Sequence, residues 1–208
     1  MTWDERGLLY LEDALARDLA DSLLGWLDAT PLVEGAPLLA QSFCFSPPVI
    51  AGQQVAGRAE ARCGTPVWDG TGPAAGPPIP EELTTVLDLA NTQLESIEQL
   101  WSAAGEAPRP LTSIYVDRYP TGGHFVPHVD RAIYGPVIAG LSVGPGSCRL
   151  RFLRGGLVLR EQVLAPRSLY AFTGALRWAP VEHEVVEVRD LRYGITMRAG
   201  ALGGSADA

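Results

Sequence analysis

The sequence contains no lysine, since all 16 of its basic residues are arginine. A catalytic Schiff base on a lysine amine is therefore excluded. The chain also has no apolar run approaching the roughly eighteen residues of a membrane-spanning helix. The opening stretch MTWDERGLLYLEDAL has no basic segment ahead of an apolar core, which a secretory signal would have. We therefore expect no membrane association and a cytoplasmic location.

Cysteine is scarce as well. The three cysteines, Cys44, Cys63 and Cys148, lie far apart and lack the Cys-x-x-Cys spacing of zinc sites and redox motifs. An odd number of widely spaced cysteines indicates buried, reduced thiols rather than a disulfide framework.

Positive charge is scarce in the first half of the chain. Residues 1–108 carry four arginines against sixteen acidic residues, residues 109–208 carry twelve against eight, and the net charge is −8. A protein that binds a polyanion needs a basic face that releases counterions from the phosphates. The charge distribution therefore argues against a nucleic-acid partner.

The chain has 208 residues, 47% of them hydrophobic, which is enough for one domain with a sizeable core. Leucine recurs every four residues from Leu15 to Leu27, which predicts an amphipathic helix. A second helix is predicted from Pro80, because proline is favoured at the first helical position, to Gly105. Between the two, residues 31–80 form short apolar runs broken by glycine and proline, which predicts irregular strands and a loop.

From Leu111 onward the helical period disappears and β-rich runs alternate with turn residues. These runs are SIYVDRYP, PVIAGLSV, CRLRFLR, LVLREQVL, SLYAFTG, VEHEVVEV and RYGITMR. Many short strands with turns at regular spacing predict a sandwich or a barrel. The predicted fold class is thus mostly β with flanking helices.

A candidate metal site lies in the stretch HFVPHVD. In an extended chain, residues two apart point to the same face, so His128 and Asp130 would project together. One imidazole from a distant strand would complete the two-His, one-carboxylate facial triad of non-haem Fe(II) oxygenases. His183 in VEHEV is the remaining downstream histidine. His-x-Asp alone is weak support, because histidine is often an ordinary polar group.

A candidate anion site lies in RYGITMR. Arg192 and Arg198 are six residues apart and therefore share one face of a strand, about 20 Å apart along the backbone. Two such side chains can bind one small dicarboxylate only by reaching inward from opposite ends. The planar guanidinium suits this task because it pairs with a carboxylate through two hydrogen bonds. The alternative is a pair of solvated arginines on an edge strand.

The order of these elements resembles the AlkB-like branch of the Fe(II)/2-oxoglutarate dioxygenases over roughly Leu111 to Arg198. DRYPTGGHFVPHVD is similar to that family's Asn-x-Tyr-x-x-Gly followed by His-x-Asp, and RYGITMR is similar to its pair of arginines. The resemblance implies a single domain over 1–208 with a double-stranded β-helix (jelly-roll) catalytic core at 111–198. Residues 1–110 would supply N-terminal helices and a variable substrate lid.

The resemblance also implies cofactors and their ligands. Fe(II) would be bound by His128, Asp130 and His183. The cosubstrate 2-oxoglutarate would be held by Tyr119, Arg192 and Arg198. With O2, such a site releases succinate and CO2 and hydroxylates a C–H bond, or demethylates when the oxidised carbon is attached to nitrogen.

Some residues depart from the family pattern. Asp117 stands where the family usually has asparagine. Gly194 stands where the bacterial repair enzyme has an amide that contacts 2-oxoglutarate. Neither residue is therefore assigned as a ligand of the cosubstrate. Ala132 occupies a position where repair members commonly carry an acidic residue that reads the flipped base. We therefore expect a protein or small-molecule substrate, and a nucleic-acid demethylase is the less favoured alternative.

Candidate substrate contacts are Arg177, Trp178 and Tyr134, although an arginine packed over a tryptophan is an equally good explanation of the first two. His124 has no metal role in the family and is expected at the rim of the site. A third interpretation is a non-catalytic, cupin-like metal-binding barrel, which would not need two arginines facing a dicarboxylate. By default the chain is expected to be a monomer, and its sequence does not name the substrate.

Overall fold

The computed structural model describes residues 1–30 and 78–200, together with the backbone of short strands between residues 43 and 74. The predicted lid therefore lies largely outside the described residues, as do the side chains of Cys44 and Cys63. The helices are α1 Arg17–Ala29, α2 Glu81–Glu95 and α3 Glu98–Ala104, and two 3-10 turns span Ala132–Tyr134 and Gly174–Leu176. Within the described part of the chain, none of the helices combines the length and apolarity needed to cross a bilayer.

The strands account for most of the regular structure after residue 112. They are β1 Thr2–Asp4, β2 Leu8–Leu11, β3 Phe43–Cys44, β4 Val49–Ile50, β5 Gln53–Gln54, β6 Ala59–Gly64, β7 Val67–Trp68, β8 Pro73–Ala74, β9 Ser113–Tyr119, β10 Phe125–His128, β11 Ile138–Val143, β12 Cys148–Arg154, β13 Leu157–Leu164, β14 Leu169–Phe172, β15 Val181–Val186 and β16 Arg192–Arg198. Each of the seven runs predicted after Leu111 forms a strand.

Two antiparallel sheets form the β-domain. The large sheet has eight strands in the order β1-β2-β14-β11-β16-β9-β6-β3, and the small sheet has four in the order β10-β15-β12-β13. The predicted mostly-β, jelly-roll architecture is confirmed. The large sheet extends beyond the predicted core boundary at residue 111, because β2 pairs with β14 and β6 pairs with β9.

The strands of the large sheet separate two hydrophobic clusters by alternation. On β16, Tyr193, Ile195 and Met197 face the cluster that contains the helices. The intervening residues, from Arg192 to Arg198, face the small sheet. Side chains alternate between the two faces of any strand. Arg192, Thr196 and Arg198 therefore point into the space between the sheets, whereas Tyr193 packs on the helix side and hydrogen-bonds with Asp28.

The boundaries of the helices differ from those predicted. α1 begins at Arg17 with Ala16 as its N-cap, so Leu15, the first leucine of the repeat, lies just before the helix. Pro80 is the N-cap of α2 rather than its first helical residue. The predicted end is confirmed, since Gly105 terminates α3 in the left-handed conformation with a φ of 71°.

The predicted second helix is divided in two at Ser96 and Ile97. The division turns Trp101 into the core, where it is 3% exposed. Its indole Nε1 donates a hydrogen bond of 2.8 Å to the carbonyl oxygen of Leu94 in the last turn of α2. The same carbonyl also accepts a hydrogen bond of 3.1 Å from the backbone nitrogen of Ile97. The indole adds a second, buried donor at this helix terminus, so the break is stabilised by the side chain that it buries.

We predict that Trp101→Phe lowers the free energy of unfolding by about 1–2 kcal/mol, because the buried hydrogen bond from the indole to the Leu94 carbonyl and part of the buried ring are lost. Urea unfolding measures the difference. Trp178→Phe is the matched control: Trp178 is 40% exposed, and its replacement should change stability by less than about 0.5 kcal/mol. Equal effects of the two substitutions would contradict the assignment.

Candidate active site

Three potential metal ligands meet at one end of the space between the sheets. His128 is the last residue of β10 and lies directly opposite His183 of β15 in the strand register. Asp130 follows two residues after β10. The ligand atoms of the three side chains lie within 4.8 Å of one another, close to the ~4 Å that two metal–ligand bonds of ~2.1 Å span. The structure therefore brings together the three residues that the sequence suggested.

The two imidazoles are oriented by their surroundings. His128 Nδ1 lies 2.9 Å from the backbone oxygen of Val126, and a proton on Nδ1 would leave Nε2 with its lone pair free for a metal. The His183 ring lies 4.8 Å from the ring of Phe172 and 6.2 Å from that of Phe152. Its Nε2 faces Asp130 Oδ2 at 3.6 Å.

The charge states suit metal binding. Burial raises the pKa of Asp130, but the positive charge of Arg198, with smaller contributions from His183, His128 and Arg177, outweighs burial and holds that pKa well below its usual value. Burial and the neighbouring His128 hold the pKa of His183 well below 6.5. At neutral pH the cluster therefore presents a carboxylate and a neutral buried imidazole, the protonation states in which these groups bind metals.

Several buried polar atoms of this cluster fit a bound metal and a bound anion. Arg198 Nη2 donates to Asp130 Oδ1 at 3.1 Å. Among the described residues, Asp130 Oδ2 and the Nε and Nη1 atoms of Arg198 are buried without a hydrogen-bond partner. Because such atoms are costly when unsatisfied, a cation beside Asp130 and an anion beside Arg198 fit this arrangement.

The second arginine approaches the same space from the other end of β16. Arg192, 1% exposed, donates from Nε and Nη2 to Ser142 Oγ at 3.3 and 3.2 Å. Ser142 pairs in register with Gly194, so the Arg192 side chain leans two residues along the strand toward Arg198.

The Arg198 side chain extends along β16 in the opposite direction, toward Arg192. Its Cζ lies 4.0 Å from the ring centre of Tyr115, and Tyr115 pairs in register with Thr196. The guanidinium groups therefore reach the levels of residues 194 and 196, which are about 7 Å apart. A dicarboxylate of a few carbons fits this separation.

The remaining predicted cosubstrate ligand lies beside Arg192. Tyr119 pairs with Arg192 in register, and the Arg192 Cζ lies 5.3 Å from its ring centre. A Cβ on Gly194 would contact the Tyr119 ring at 3.4 Å, so glycine keeps this position clear. Asp117, where the family has asparagine, is buried in register with Gly194. We name the space between the two arginines the cosubstrate cleft. Tyr119, Gly194 and Thr196 flank it.

Solved structures resemble this chain, whereas neither the protein-family models nor the curated proteins gave a match. OsALKBH1 superposes with a TM-score of 0.61 at 15% identity, over 95% of this chain and all 100% of its own. A Pseudomonas putida prolyl-4-hydroxylase gives 0.58 at 18% identity, over 95% and 94%. A Trichoplax adhaerens prolyl hydroxylase, solved with a hypoxia inducible factor peptide, gives 0.57 at 16% identity, over 94% and 84%.

The chain has the fold of the Fe(II)/2-oxoglutarate dioxygenases. Because the sequence identities are below 20%, the likeness supports the fold alone. The fold implied by the resemblance in the sequence is confirmed. The likeness covers 94–95% of the chain, which is more than the stretch from Leu111 to Arg198 on which the resemblance in the sequence rested.

Arg177 occupies a different place from the one expected of a substrate contact. It is 1% exposed, and its Nε, Nη1 and Nη2 donate to the carbonyl oxygens of Gly135, Asp130 and Arg131 at 2.8, 2.9 and 2.8 Å. Burial lowers its pKa to about 10 despite the nearby Asp130. All three of its nitrogens hold the backbone of the loop that carries Asp130, and its burial keeps the guanidinium away from the surface that a substrate would contact.

The other rim residues are divided between buried and exposed positions. Tyr134 is 5% exposed, and its hydroxyl hydrogen-bonds with that of Tyr115. Its burial makes it part of the wall around Arg198 rather than of an open surface. Trp178 remains 40% exposed and stacks on Arg177, while His124 is partly exposed and outside the three-residue cluster.

Sequence reasoning missed Ser142 and Tyr115, which contact the two arginines. Ser142 is a fully buried polar residue in the apolar run PVIAGLSV, which is a recognisable signal because buried hydroxyls need a partner. Tyr115 offered no signal, because an aromatic residue in a strand is more often simply part of the core.

We predict that Arg177→Met weakens Mn(II) binding by about tenfold or more, because freeing a ligand-bearing loop typically costs this much affinity. Isothermal titration calorimetry measures it. Trp178→Ala is the control, since it removes the stacked ring but none of the three hydrogen bonds. Unchanged Mn(II) affinity in Arg177→Met would refute a positioning role for this arginine.

The metal-free protein should lose stability as pH falls below about 6.5. The folded pKa of His183 is lower than its unfolded value, so the unfolded chain binds more protons in that range and is favoured there. The contribution is fully present above the unfolded pKa. Urea unfolding in EDTA at several pH values should show this fall in the wild type and a smaller one in His183→Gln. Trp178→Phe, which removes no titratable group, should retain the wild-type pH dependence.

Proposed function

We propose that this chain is an Fe(II)- and 2-oxoglutarate-dependent dioxygenase that hydroxylates or oxidatively demethylates a protein or small-molecule substrate. One observation carries the proposal. Arg198 links the candidate metal cluster to the cosubstrate cleft, with one nitrogen on Asp130 and two buried nitrogens that lack a partner among the described residues. A metal cluster alone would be compatible with a cupin-like binding barrel. Such a barrel would not need a second buried arginine, Arg192, facing the same space.

In this proposal His128, Asp130 and His183 hold Fe(II), and Arg192, Arg198 and Tyr119 bind 2-oxoglutarate. When bound, iron and 2-oxoglutarate together supply the oxidation of a substrate C–H bond by O2, with release of succinate and CO2.

The protein's own residues position and shield these groups. Arg198 fixes the Asp130 carboxylate and neutralises its charge, while Arg177 holds the backbone of the same residue. The Tyr115 and Tyr134 rings cover the Arg198 guanidinium at 4.0 and 4.6 Å. An arginine kept from water in this way interacts more strongly with a carboxylate than an exposed one.

Several observations support a substrate other than nucleic acid. The first 108 residues are strongly acidic, which opposes a polyanion. Ala132 is exposed beside the metal cluster and offers no group to read a base. Two of the similar structures are prolyl hydroxylases, one of them solved with a peptide. Trp178, two residues after the turn Gly174–Leu176, is an exposed aromatic side chain.

The test is succinate production with Fe(II), 2-oxoglutarate and O2, in the presence of peptides, small-molecule fractions of cell extract, or methylated oligonucleotides. We expect turnover to be stimulated by a peptide or a small molecule. His128→Ala and Arg192→Ala should each abolish it, the first by removing an iron ligand and the second by removing the cosubstrate's partner. Arg189→Ala replaces an exposed arginine three residues from Arg192 and should retain wild-type turnover.

Two outcomes would redirect the proposal. Stimulation by methylated oligonucleotides with release of formaldehyde would identify a nucleic-acid demethylase instead. Absence of both succinate and an anaerobic charge-transfer band with Fe(II) and 2-oxoglutarate would leave the non-catalytic, cupin-like barrel as the better description.

A further inference from the structure

A buried carboxylate shares the cosubstrate cleft with the two guanidinium groups. On β9, Ile114 and Val116 pack in the cluster that contains the helices. Tyr115 and Tyr119 pack in the other cluster, between the two sheets. Asp117 alternates with the first pair and shares the face of the two tyrosines, and it is 5% exposed. Its carboxylate therefore points into the space between the sheets.

The strand register places this carboxylate next to the Arg192 guanidinium. Ser142 of β11, Gly194 of β16 and Asp117 of β9 form one row across the large sheet. A Cβ on Gly194 would lie 3.6 and 3.7 Å from the Nη1 and Nη2 atoms of Arg192, so the guanidinium lies over the glycine. It donates to the Ser142 hydroxyl on one side of the row. Asp117 lies on the other side, one strand spacing of about 5 Å from Gly194.

The two carboxylates near the cleft differ in what compensates them. Arg198 donates to Asp130 Oδ1 at 3.1 Å, and Asp130 belongs to the candidate metal cluster, so a bound metal would balance its charge. Asp117 lies outside that cluster. Its charge is therefore left to act on Arg192 and on any anion that pairs with Arg192.

The position of Asp117 has opposite consequences with and without a ligand. A buried guanidinium is destabilised unless an opposite charge compensates it, and Asp117 supplies that charge in the ligand-free protein. A ligand carboxylate that pairs with Arg192 would lie about 6 Å from Asp117, where two like charges in a buried site repel each other appreciably. The same residue thus stabilises the free protein and opposes the binding of an anion.

We propose that Asp117 is a resident counter-ion of Arg192 that sets the affinity and the selectivity of the cosubstrate cleft. It competes with the distal carboxylate of 2-oxoglutarate for one guanidinium. The cleft therefore binds the dicarboxylate less tightly than two arginines alone would, and it discriminates less against 2-oxo acids that have a single carboxylate. The inference rests on the proposed function, since it assigns 2-oxoglutarate to the cleft.

The test measures the dissociation constant of 2-oxoglutarate by calorimetry on the Mn(II)-loaded protein, which requires no turnover. Asp117→Asn keeps the shape of the side chain and removes its charge. It should tighten binding about tenfold, as expected when one repulsive charge is removed from a partly screened buried site. Unchanged or weaker binding in this variant would overturn the inference.

Asp117→Ala separates the loss of the charge from the gain of an amide. The alanine variant also removes the charge but adds no hydrogen-bond donor, so it should tighten 2-oxoglutarate binding as well. If only Asp117→Asn bound more tightly, the new amide would be responsible, and a counter-ion role would be excluded.

A second ligand locates the effect at the distal carboxylate. 2-Oxopentanoate has the chain length of 2-oxoglutarate and a methyl group in place of that carboxylate. Asp117→Asn should bind 2-oxopentanoate within about threefold of the wild type, because the remaining charge of this ligand is farther from residue 117. An equal gain for both ligands would contradict the assignment to Arg192.

Stability gives a readout that is independent of binding. Without metal or 2-oxo acid, Asp117→Asn should unfold at a lower temperature than the wild type, because Arg192 loses its counter-ion. Lower stability combined with tighter binding is the expected signature, since a residue with a purely structural role would lose both when replaced. A variant as stable as the wild type would refute the counter-ion role.

Asp190→Asn is the matched control. Asp190 is an exposed carboxylate two residues from Arg192, and its Oδ1 accepts a hydrogen bond of 2.7 Å from the backbone nitrogen of Leu191, which asparagine can also accept. Because solvent screens this charge, the variant should bind 2-oxoglutarate within about twofold of the wild type. A tenfold gain here would show that net charge, rather than Asp117 in particular, sets the affinity.

Failure of the inference and failure of the proposed function give different results. A Mn(II)-loaded wild-type protein that binds no 2-oxoglutarate, together with an Asp117→Asn variant that also binds none, overturns both. Wild-type binding that neither neutral variant of Asp117 tightens overturns only the role of Asp117.

Discussion

The buried carboxylate of Asp130 is the charge around which the rest of the site is arranged. A carboxylate that is removed from water is destabilised by several kcal/mol unless other charges and hydrogen bonds compensate. Arg198 pairs with its side chain, and Arg177 donates to its backbone carbonyl. The residue is thus held at both its side chain and its main chain by two buried arginines. Its remaining oxygen, Oδ2, faces His183, where a cation would complete the compensation.

The geometry of a strand covered on both faces explains how one segment can serve both stability and function. On β16 the odd-numbered residues pack against the helices, and the even-numbered residues face the small sheet. The arginines cannot turn toward solvent without exposing the apolar face of the strand. Helix packing on one side of the large sheet therefore fixes the direction of both guanidinium groups on the other.

The strands after Leu111 could be predicted because period-two patterns and turn residues are local signals. The His-x-Asp pair could be predicted because its spacing is a property of one extended segment.

Other features could not be predicted from the sequence. The run GLLYL near the N-terminus gave no periodicity that distinguishes a strand from a helix, and it becomes a strand only because β14 offers it an edge. The second helix divides because Trp101 gains burial and a hydrogen bond, and its helical pattern continues through the break. Arg177 was judged by its position near a strand end, whereas its true partners are carbonyl groups more than forty residues away in the sequence.

The sequence by itself determined the β-rich architecture of the C-terminal half, the face shared by Arg192 and Arg198, and the residue types able to bind a metal and a dicarboxylate. Only the tertiary structure decided that His183 lies opposite His128, that the side chains of Arg192 and Arg198 extend toward each other, and that Arg177 bonds to the loop that carries Asp130. The physical reason is that alternation along a strand fixes which side a residue faces, while the pairing of strands distant in sequence fixes which residues meet on that side.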